Sequence, residues 1–297
     1  MIDLHTHSTF SDGTFTPAEI VEHAMEKGVE IVSLTDHDTV NGNDEFIKAG
    51  EKFGVKVIAG LEVSVEYSVK SDKKLNGAMH ILGYFPNWNT ETKNKLSLLE
   101  EIRENRKIRN PKIIDKLRNL GLDITLNEVA ELANNDVLGR PHIARILVKK
   151  GHVKDMKQAF SLYLAKGAEA YVSRSLPTPK EAIKMILNAG GVPVLAHPIS
   201  LRIYSEKDFV DLLEQLISYG LQGIEVVTAS SKWDEIQRFL GYAYLYDLVA
   251  TVGSDFHGVN KSSISLGIKY NFKINTETDC VKQLFHRASY CSSINNN

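Results

Sequence analysis

The chain of 297 residues carries 10 histidines, and six of them fall where metal chemistry could use them. His5-Thr6-His7 closes a short apolar run. In an extended chain residues i and i+2 face the same side, so both imidazoles can reach one ion. A lone His-x-His pair says little, because neighbouring histidines often share no task. The other candidates recur at matching places: Asp12, His37, Glu62, His80, His197, Asp255 and His257. All but Asp12 and His80 stand at the expected C-terminal end of an apolar run, and His80 needs only a slightly different register to join them. Any one of these could be an ordinary hydrogen-bonded residue, but nine together are hard to dismiss. Imidazole and carboxylate ligands without a thiolate suit Zn²⁺, Mn²⁺ or Fe²⁺. Nine side chains exceed the needs of one ion, so two or three divalent ions are expected, Mn²⁺ foremost, with Mg²⁺ a further alternative. Such ions would lower the pKa of a shared water and neutralise phosphate oxygens during in-line attack.

The elements that must position these groups are short aliphatic runs. They are Ile2 to Leu4, Ile31 to Leu34, Val55 to Leu61, His80 to Phe85, Val192 to Ala196, Ile224 to Val227 and Leu248 to Val252. Their length and β-branching suit buried parallel strands. Helical patterns separate several of them. Thr16-Pro17-Ala18-Glu19 and Thr178-Pro179-Lys180-Glu181 each supply an N-cap, a proline at the first helical position and a capping-box glutamate. The helices they open stop near Gly28 and at Gly190-Gly191. Seven strands alternating with helices predict a distorted α/β barrel of (β/α)7 type, whose active site would gather at the C-terminal strand ends.

Residues 91–170 break the alternation. The pattern there is helical, with Leu96 to Ile108, a break or kink expected near Pro111, a capping box at Thr125-Leu126-Asn127-Glu128 and a helix from Pro141. Residues 91–166 hold 16 Lys and Arg against 10 Asp and Glu, whereas the remainder holds 19 against 27. The expected organisation is a barrel from 1–90 and 171–297, with a helical insertion domain at 91–170 over its mouth. On charge alone, a solvated helical face explains the excess equally well.

Bulk numbers exclude other classes. Hydrophobic residues make up 43% and charged residues 24%, an ordinary globular composition. A net charge of −2 argues against a protein that coats nucleic acid over its whole surface. Cys280 and Cys291 have no metal-type spacing and read as reduced thiols. No apolar stretch approaches a membrane span and no signal peptide opens the sequence, so a cytoplasmic protein is expected.

Read as a set, His5-Thr6-His7, Thr35-Asp36-His37-Asp38, His197-Pro198 and Asp255-Phe256-His257 resemble the four motifs of the PHP (polymerase and histidinol phosphatase) family. Ser11-Asp12-Gly13 before Thr16-Pro17, and Gly253-Ser254-Asp255-Phe256-His257-Gly258, are similar to the branch of nucleoside 3′,5′-bisphosphate phosphatases, some of which trim short RNAs from the 5′ end. The resemblance covers nearly the whole chain. It implies a phosphoesterase whose metal-bridging hydroxide attacks phosphorus. It also implies one metal on His5, His7, Glu62 and Asp255, a second sharing Glu62 with His80 and His197, and a third on Asp12, His37 and His257. Many relatives have histidine in place of Asp12, so a harder ion or weaker binding is expected at that third position.

Asp36 and Asp38 are candidate catalytic groups, orienting ligand imidazoles or relaying protons; for Asp38 a turn-forming role is equally open. Gly139-Arg140-Pro141-His142 opens a helix, a natural anion site, and family members carry a similar segment near the substrate. Arg140, His142 and Arg145 are therefore candidate substrate contacts, with Arg202 a further one and Arg174 a weaker one. The expected partner is a small phosphorylated nucleotide, or a short 5′-phosphorylated RNA. Alternatives are histidinol phosphatase and a metal-binding module without catalysis. His23, His152 and His286 are assigned no role, and Tyr242, Tyr244 and Tyr246 read as helix packing.

Overall fold

The computed structural model describes residues 1–66, 78–132, 137–268 and 277–294. Seven strands form one sheet in chain order: β1 (Ile2–Thr6), β2 (Ile31–Leu34), β3 (Lys56–Val65), β4 (Met79–Phe85), β5 (Val192–Leu195), β6 (Gly223–Val227) and β7 (Val249–Val252). Almost every strand residue is buried, as expected for a sheet covered on both faces. The two edges come together beyond the last strand. Thr6 bridges Phe256, His7 N–H donates to the Phe256 carbonyl at 2.9 Å, and Asp255 N–H donates to the His5 carbonyl at 2.9 Å. This joins the first and last motifs across the length of the chain.

One expectation about the sheet is corrected. β4 runs antiparallel to both neighbours, whereas β1-β2-β3 and β5-β6-β7 are parallel. β3 also extends to Val65, so Glu62 lies within it rather than after it. Val65 pairs with Met79 and Ser64 with His80, so β4 starts where β3 ends and runs back along it. His80 therefore stands at the N-terminal end of its own strand and at the same rim of the barrel as the other candidates. Strand direction, not a shifted register, brings it there.

The helices are α1 (Pro17–Lys27), α2 (Asn43–Phe53), α3 (Thr90–Asn94), α4 (Leu98–Asn119), α5 (Leu126–Leu132), α6 (Arg140–Lys149), α7 (Met156–Ala159), α8 (Pro179–Asn188), α9 (Glu206–Tyr219), α10 (Trp233–Leu245) and α11 (Glu277–Ile294). Both anticipated capping boxes form: Thr16 and Glu19 exchange side-chain and backbone bonds, as do Thr178 and Glu181. The third box closes on Thr125 and Glu128 in the same way. α4 continues through Pro111 instead of ending there.

Two apolar clusters explain how the helical segment is held. Leu96, Leu99 and Ile102 pack into the barrel core, while Ile113, Ile114 and Leu117 belong to a second cluster with Ile143, Leu147 and Leu164. α4 thus bridges the two, and its middle, Arg106 to Asn110, lies at the junction over the rim. Cys280 is buried in the barrel core, and the Cys291 side chain lies outside the described residues. Among the described residues no helix is long and apolar enough to cross a membrane.

Candidate metal centre and its basic wall

The nine side chains singled out for metal binding converge at one rim. Glu62, fully buried on β3, lies at the middle. Its Oε1 stands 2.8 Å from His80 Nδ1 and 2.8 Å from His197 Nε2. Its Oε2 stands 2.9 Å from His37 Nδ1, 3.4 Å from His5 Nε2 and 3.3 Å from His7 Nε2. Asp255 Oδ1 approaches the same imidazoles at 3.7 and 3.4 Å. Asp12 Oδ1 faces His257 Nε2 at 3.2 Å and His37 Nε2 at 4.0 Å. Four groupings within this cluster bring three or more ligand atoms close enough for one ion: His7, Asp12, His37 and His257; His5, His7 and Asp255; His5, Glu62 and His197; His37, Glu62 and His80.

Whether the residues suit cations is tested by their unmet polar atoms. His5 Nε2, His7 Nε2, His37 Nδ1, Asp12 Oδ1 and Glu62 Oε2 are buried and make no hydrogen bond among the described residues. Buried polar atoms are normally satisfied. Five unsatisfied ones aimed at a common space fit divalent cations with nitrogen and oxygen ligands.

The backbone is also strained here. His197 has φ +22°, Asp255 +61° and Asp38 +57°, a region that non-glycine residues rarely adopt. Such strain persists only where surrounding contacts over-determine it, and it gathers at functional sites. Gly253 permits the crowding: a Cβ there would stand 2.2 Å from the Cβ of His5.

Charge in the cluster is strongly coupled. Burial, then the neighbouring His257 and His37, pushes His7 down to about 4. Burial alone would also lower His37, but Glu62 and Asp12 outweigh it and raise His37 to about 9. Burial opposes ionisation of Glu62, yet the surrounding His37, His80 and His5 hold its carboxyl well below the usual range. Cations in the centre would replace these protons, because metal binding requires neutral imidazoles and ionised carboxylates.

Several supporting groups were not anticipated. Glu225, buried in β6, has Oε1 2.9 Å from His5 Nδ1 and accepts the backbone N–H of His197 through Oε2 at 2.7 Å. A carboxylate there only accepts, so His5 carries its proton on Nδ1 and turns Nε2 inward. The available signal was a single charge inside the apolar run Gly223-Ile224-Glu225-Val226-Val227, since a buried charge must be paired. Lys261 forms a close ion pair with Asp255.

Asp36 and Asp38 are both buried and meet different partners. Asp36 accepts from Ser8 N–H at 2.7 Å and from the hydroxyls of Ser8 and Ser11 at 2.5 Å, and burial raises it to about 6. Its link to a ligand runs through Ser11 Oγ, 3.4 Å from His7 Nδ1. Asp38 accepts from Ser64 N–H at 2.8 Å, from Arg174 at 3.1 Å and from Arg106. Burial opposes its ionisation, but the two guanidinium groups hold it well below the usual carboxylate range.

These arginines belong to a cavity of about 170 Å³ beside the cluster. Asp12, His37 and His80 line it together with Arg106, Arg109, Arg140 and Arg174. Arg106 and Arg109 are buried, 9% and 4% exposed, which removes the solvated-face explanation for this part of α4. Burial, then the nearby Arg106, Arg174 and Arg140, pushes Arg109 down to about 8. The sequence signal was their spacing of three on a helix within the basic segment.

The other substrate candidates are placed differently. Arg140 donates to the Leu164 carbonyl at 2.9 Å and stacks near Phe160 and Tyr171. His142 is buried, and its Nδ1 accepts the Gly139 N–H at 3.1 Å, closing the start of α6. Arg145 is half-buried one turn further on. Arg202 is exposed, with φ +55°. His23 lies against Phe15 and Phe256 and pairs with Glu26, and His152 holds the Asp123 carbonyl. Tyr242 packs on Phe209, whereas Tyr244 is exposed, so the three tyrosines do not share one packed face.

Comparison with known proteins agrees with this architecture. The PHP domain profile matches residues 3–169. A 5′-3′ exoribonuclease from Haemophilus influenzae is 34% identical over 86% of this chain and 89% of its own length. A 3′,5′-nucleoside bisphosphate phosphatase from Chromobacterium violaceum is 32% identical over 90% of each protein. A solved protein from Bifidobacterium adolescentis, assigned as a metal-dependent phosphoesterase, superposes with a TM-score of 0.81 at 30% identity, covering 96% of this chain and 95% of that one. The chain belongs to the PHP domain family of phosphoesterases.

Proposed function

We propose that this phosphoesterase removes the 3′-phosphate of nucleoside 3′,5′-bisphosphates, using two to three divalent ions, Mn²⁺ foremost. The observation that carries the reading is a single cavity lined by two unlike sets of side chains, members of a cation-fit cluster and guanidinium groups. A substrate with two anionic groups matches it, and the bisphosphate named for the Chromobacterium violaceum relative is such a molecule.

The ligand division is the one the family resemblance implies, and the close groupings His5-His7-Asp255 and His7-Asp12-His37-His257 support two of its three parts. His5, His7 and Asp255 would hold one ion, Glu62 would bridge to a second with His80 and His197, and Asp12, His37 and His257 would hold a third. Bound ions would supply an activated water and neutralise the phosphate oxygens. The protein's own groups do the rest. Glu225 fixes the His5 tautomer, Asp36 and Ser11 steady His7, and Arg140 helps hold the substrate. The helical segment, residues 91–170, serves as a cap that places Arg106, Arg109 and Arg140 over the rim.

A second reading has an observation of its own. A larger cavity of about 540 Å³, lined by Phe10, Asn41, Arg103 and Lys107 among others, shares Arg106 and Val137 with the first. It offers room for further nucleotides of a short 5′-phosphorylated RNA, in keeping with the name of the Haemophilus influenzae relative. The test is phosphate release from adenosine 3′,5′-bisphosphate and histidinol phosphate, and nucleotide release from short 5′-phosphorylated RNA, with Mn²⁺ present. Turnover of the bisphosphate above histidinol phosphate is expected. Turnover of histidinol phosphate alone would overturn the reading.

A further inference from the structure

We propose that the turn Gly258–Lys261 braces the metal centre, with Lys261 and Asn260 as positioning residues for Asp255 and Asp12. The inference rests on the reading of these two carboxylates as metal ligands, and it holds for any phosphoester substrate.

Three observations carry it. First, the two oxygens of Asp255 have different surroundings. Oδ1 faces His5, His7 and His257 at 3.7, 3.4 and 3.4 Å, whereas Oδ2 is engaged by the Lys261 ammonium. A carboxylate can offer an ion one oxygen or both, so a partner fixed on Oδ2 leaves Oδ1 as the ligand atom. Second, the same turn grips the loop that carries Asp12. Asn260 Nδ2 donates to the Asp12 carbonyl at 2.5 Å, and Val259 N–H donates to Thr14 Oγ1 at 3.0 Å. Gly258 has φ +63°, and a Cβ there would stand 2.0 Å from Thr14 Oγ1, so this close approach needs glycine. Third, His257 is set from within the same stretch. Its Nδ1 donates to the Asp255 backbone carbonyl at 2.8 Å, which turns Nε2 to Asp12 Oδ1 at 3.2 Å.

The stretch Asp255 to Lys261 therefore holds two candidate ligands together with the groups that fix them and Asp12. The position of Lys261 also reconciles a lysine with a cation site. Its charge would repel the ions, but it is spent on the oxygen that faces away from the histidines, and its side chain is 38% exposed, so water screens the remainder. Loss of the ammonium would free the Asp255 side chain to rotate or to chelate through both oxygens. The loss of a fixed Oδ1 should then outweigh the relief of a screened repulsion.

The experiment titrates Mn²⁺ into the full chain against a competing chelator, with ion content read by elemental analysis. Lys261→Met and Asn260→Ala should each weaken at least one ion about tenfold. Lys261→Arg, which keeps the charge and the donors, should recover most of that affinity. Both side chains are partly exposed, so the denaturant midpoints of the metal-free variants should match that of the wild type. Wild-type affinity in both variants, or tighter binding by Lys261→Met, would overturn the brace. So would a loss that Lys261→Arg leaves in place, which would assign the effect to packing of the turn. A wild type that binds no Mn²⁺ would remove the metal reading and the brace with it. Brace-dependent Mn²⁺ binding without phosphate release from any nucleotide would sink the proposed function and leave the brace standing.

Discussion

The two walls of the cavity are built in opposite ways. The cation-fit wall comes from strand ends, where hydrogen-bonded backbone fixes each Cα and short side chains leave little freedom. Its members lie in compact sequence motifs. The guanidinium wall comes from the middle of a 22-residue helix, from the first residue of α6 and from the segment before α8, through long side chains with many rotamers. Its order depends on burial and on one carboxylate, Asp38. The difference teaches that one part of a site can be rigid by construction, while the part beside it is positioned by packing and charge.

Breaking the strand-end wall should have the largest effect. Glu62→Gln should reduce metal content, read by elemental analysis, and lower turnover roughly a thousandfold or more, because several kcal/mol of metal-derived stabilisation is lost. His23→Ala, outside the cluster, should keep both within about twofold. Equal activity in the two variants would remove the central place given to Glu62.

The other wall should fail in stability before chemistry. Asp38→Asn leaves Arg106 and Arg174 buried without their shared counter-charge, a change worth about 3 kcal/mol in denaturant unfolding. Unaltered unfolding would mean that the arginines find other partners and that Asp38 is not their anchor.

The comparison sharpens one step behind the ligands. Glu225→Gln removes the acceptor that fixes the His5 tautomer while keeping volume. A weakening of metal affinity of about 10- to 100-fold is expected, measured by competition with a chelator. No change would confine Glu225 to a packing role.

The smallest effect concerns α6. Burial lowers the pKa of His142, whose Nδ1 must stay unprotonated to accept the Gly139 N–H. The folded state therefore binds its proton less readily than the unfolded state. The stability His142 contributes is present above about pH 6.5, the unfolded value, and is lost as pH falls toward the lower folded value. His142→Gln, which can still reach back to the cap, should narrow the gap between melting temperatures at about pH 8 and about pH 5.5. An unchanged gap would exclude His142 as its source.

Much of this molecule is legible in residue order. His5-Thr6-His7 and Asp255-Phe256-His257 announce themselves because ligand chemistry restricts residue type and strand geometry restricts spacing. Thr16 and Thr178 mark helix starts for the equally local reason that a cap acts within four residues. What the sequence could not determine depends on long-range pairing. The direction of β4 follows from the register of Val65 against Met79, and only that direction carries His80 to the rim. Glu225 reaches His5 across 220 positions of sequence. Arg106 and Arg109 carry the same charge on a solvated helix face as in a cavity beside the candidate metal centre. Burial against the barrel, which no local pattern records, decides between those two outcomes.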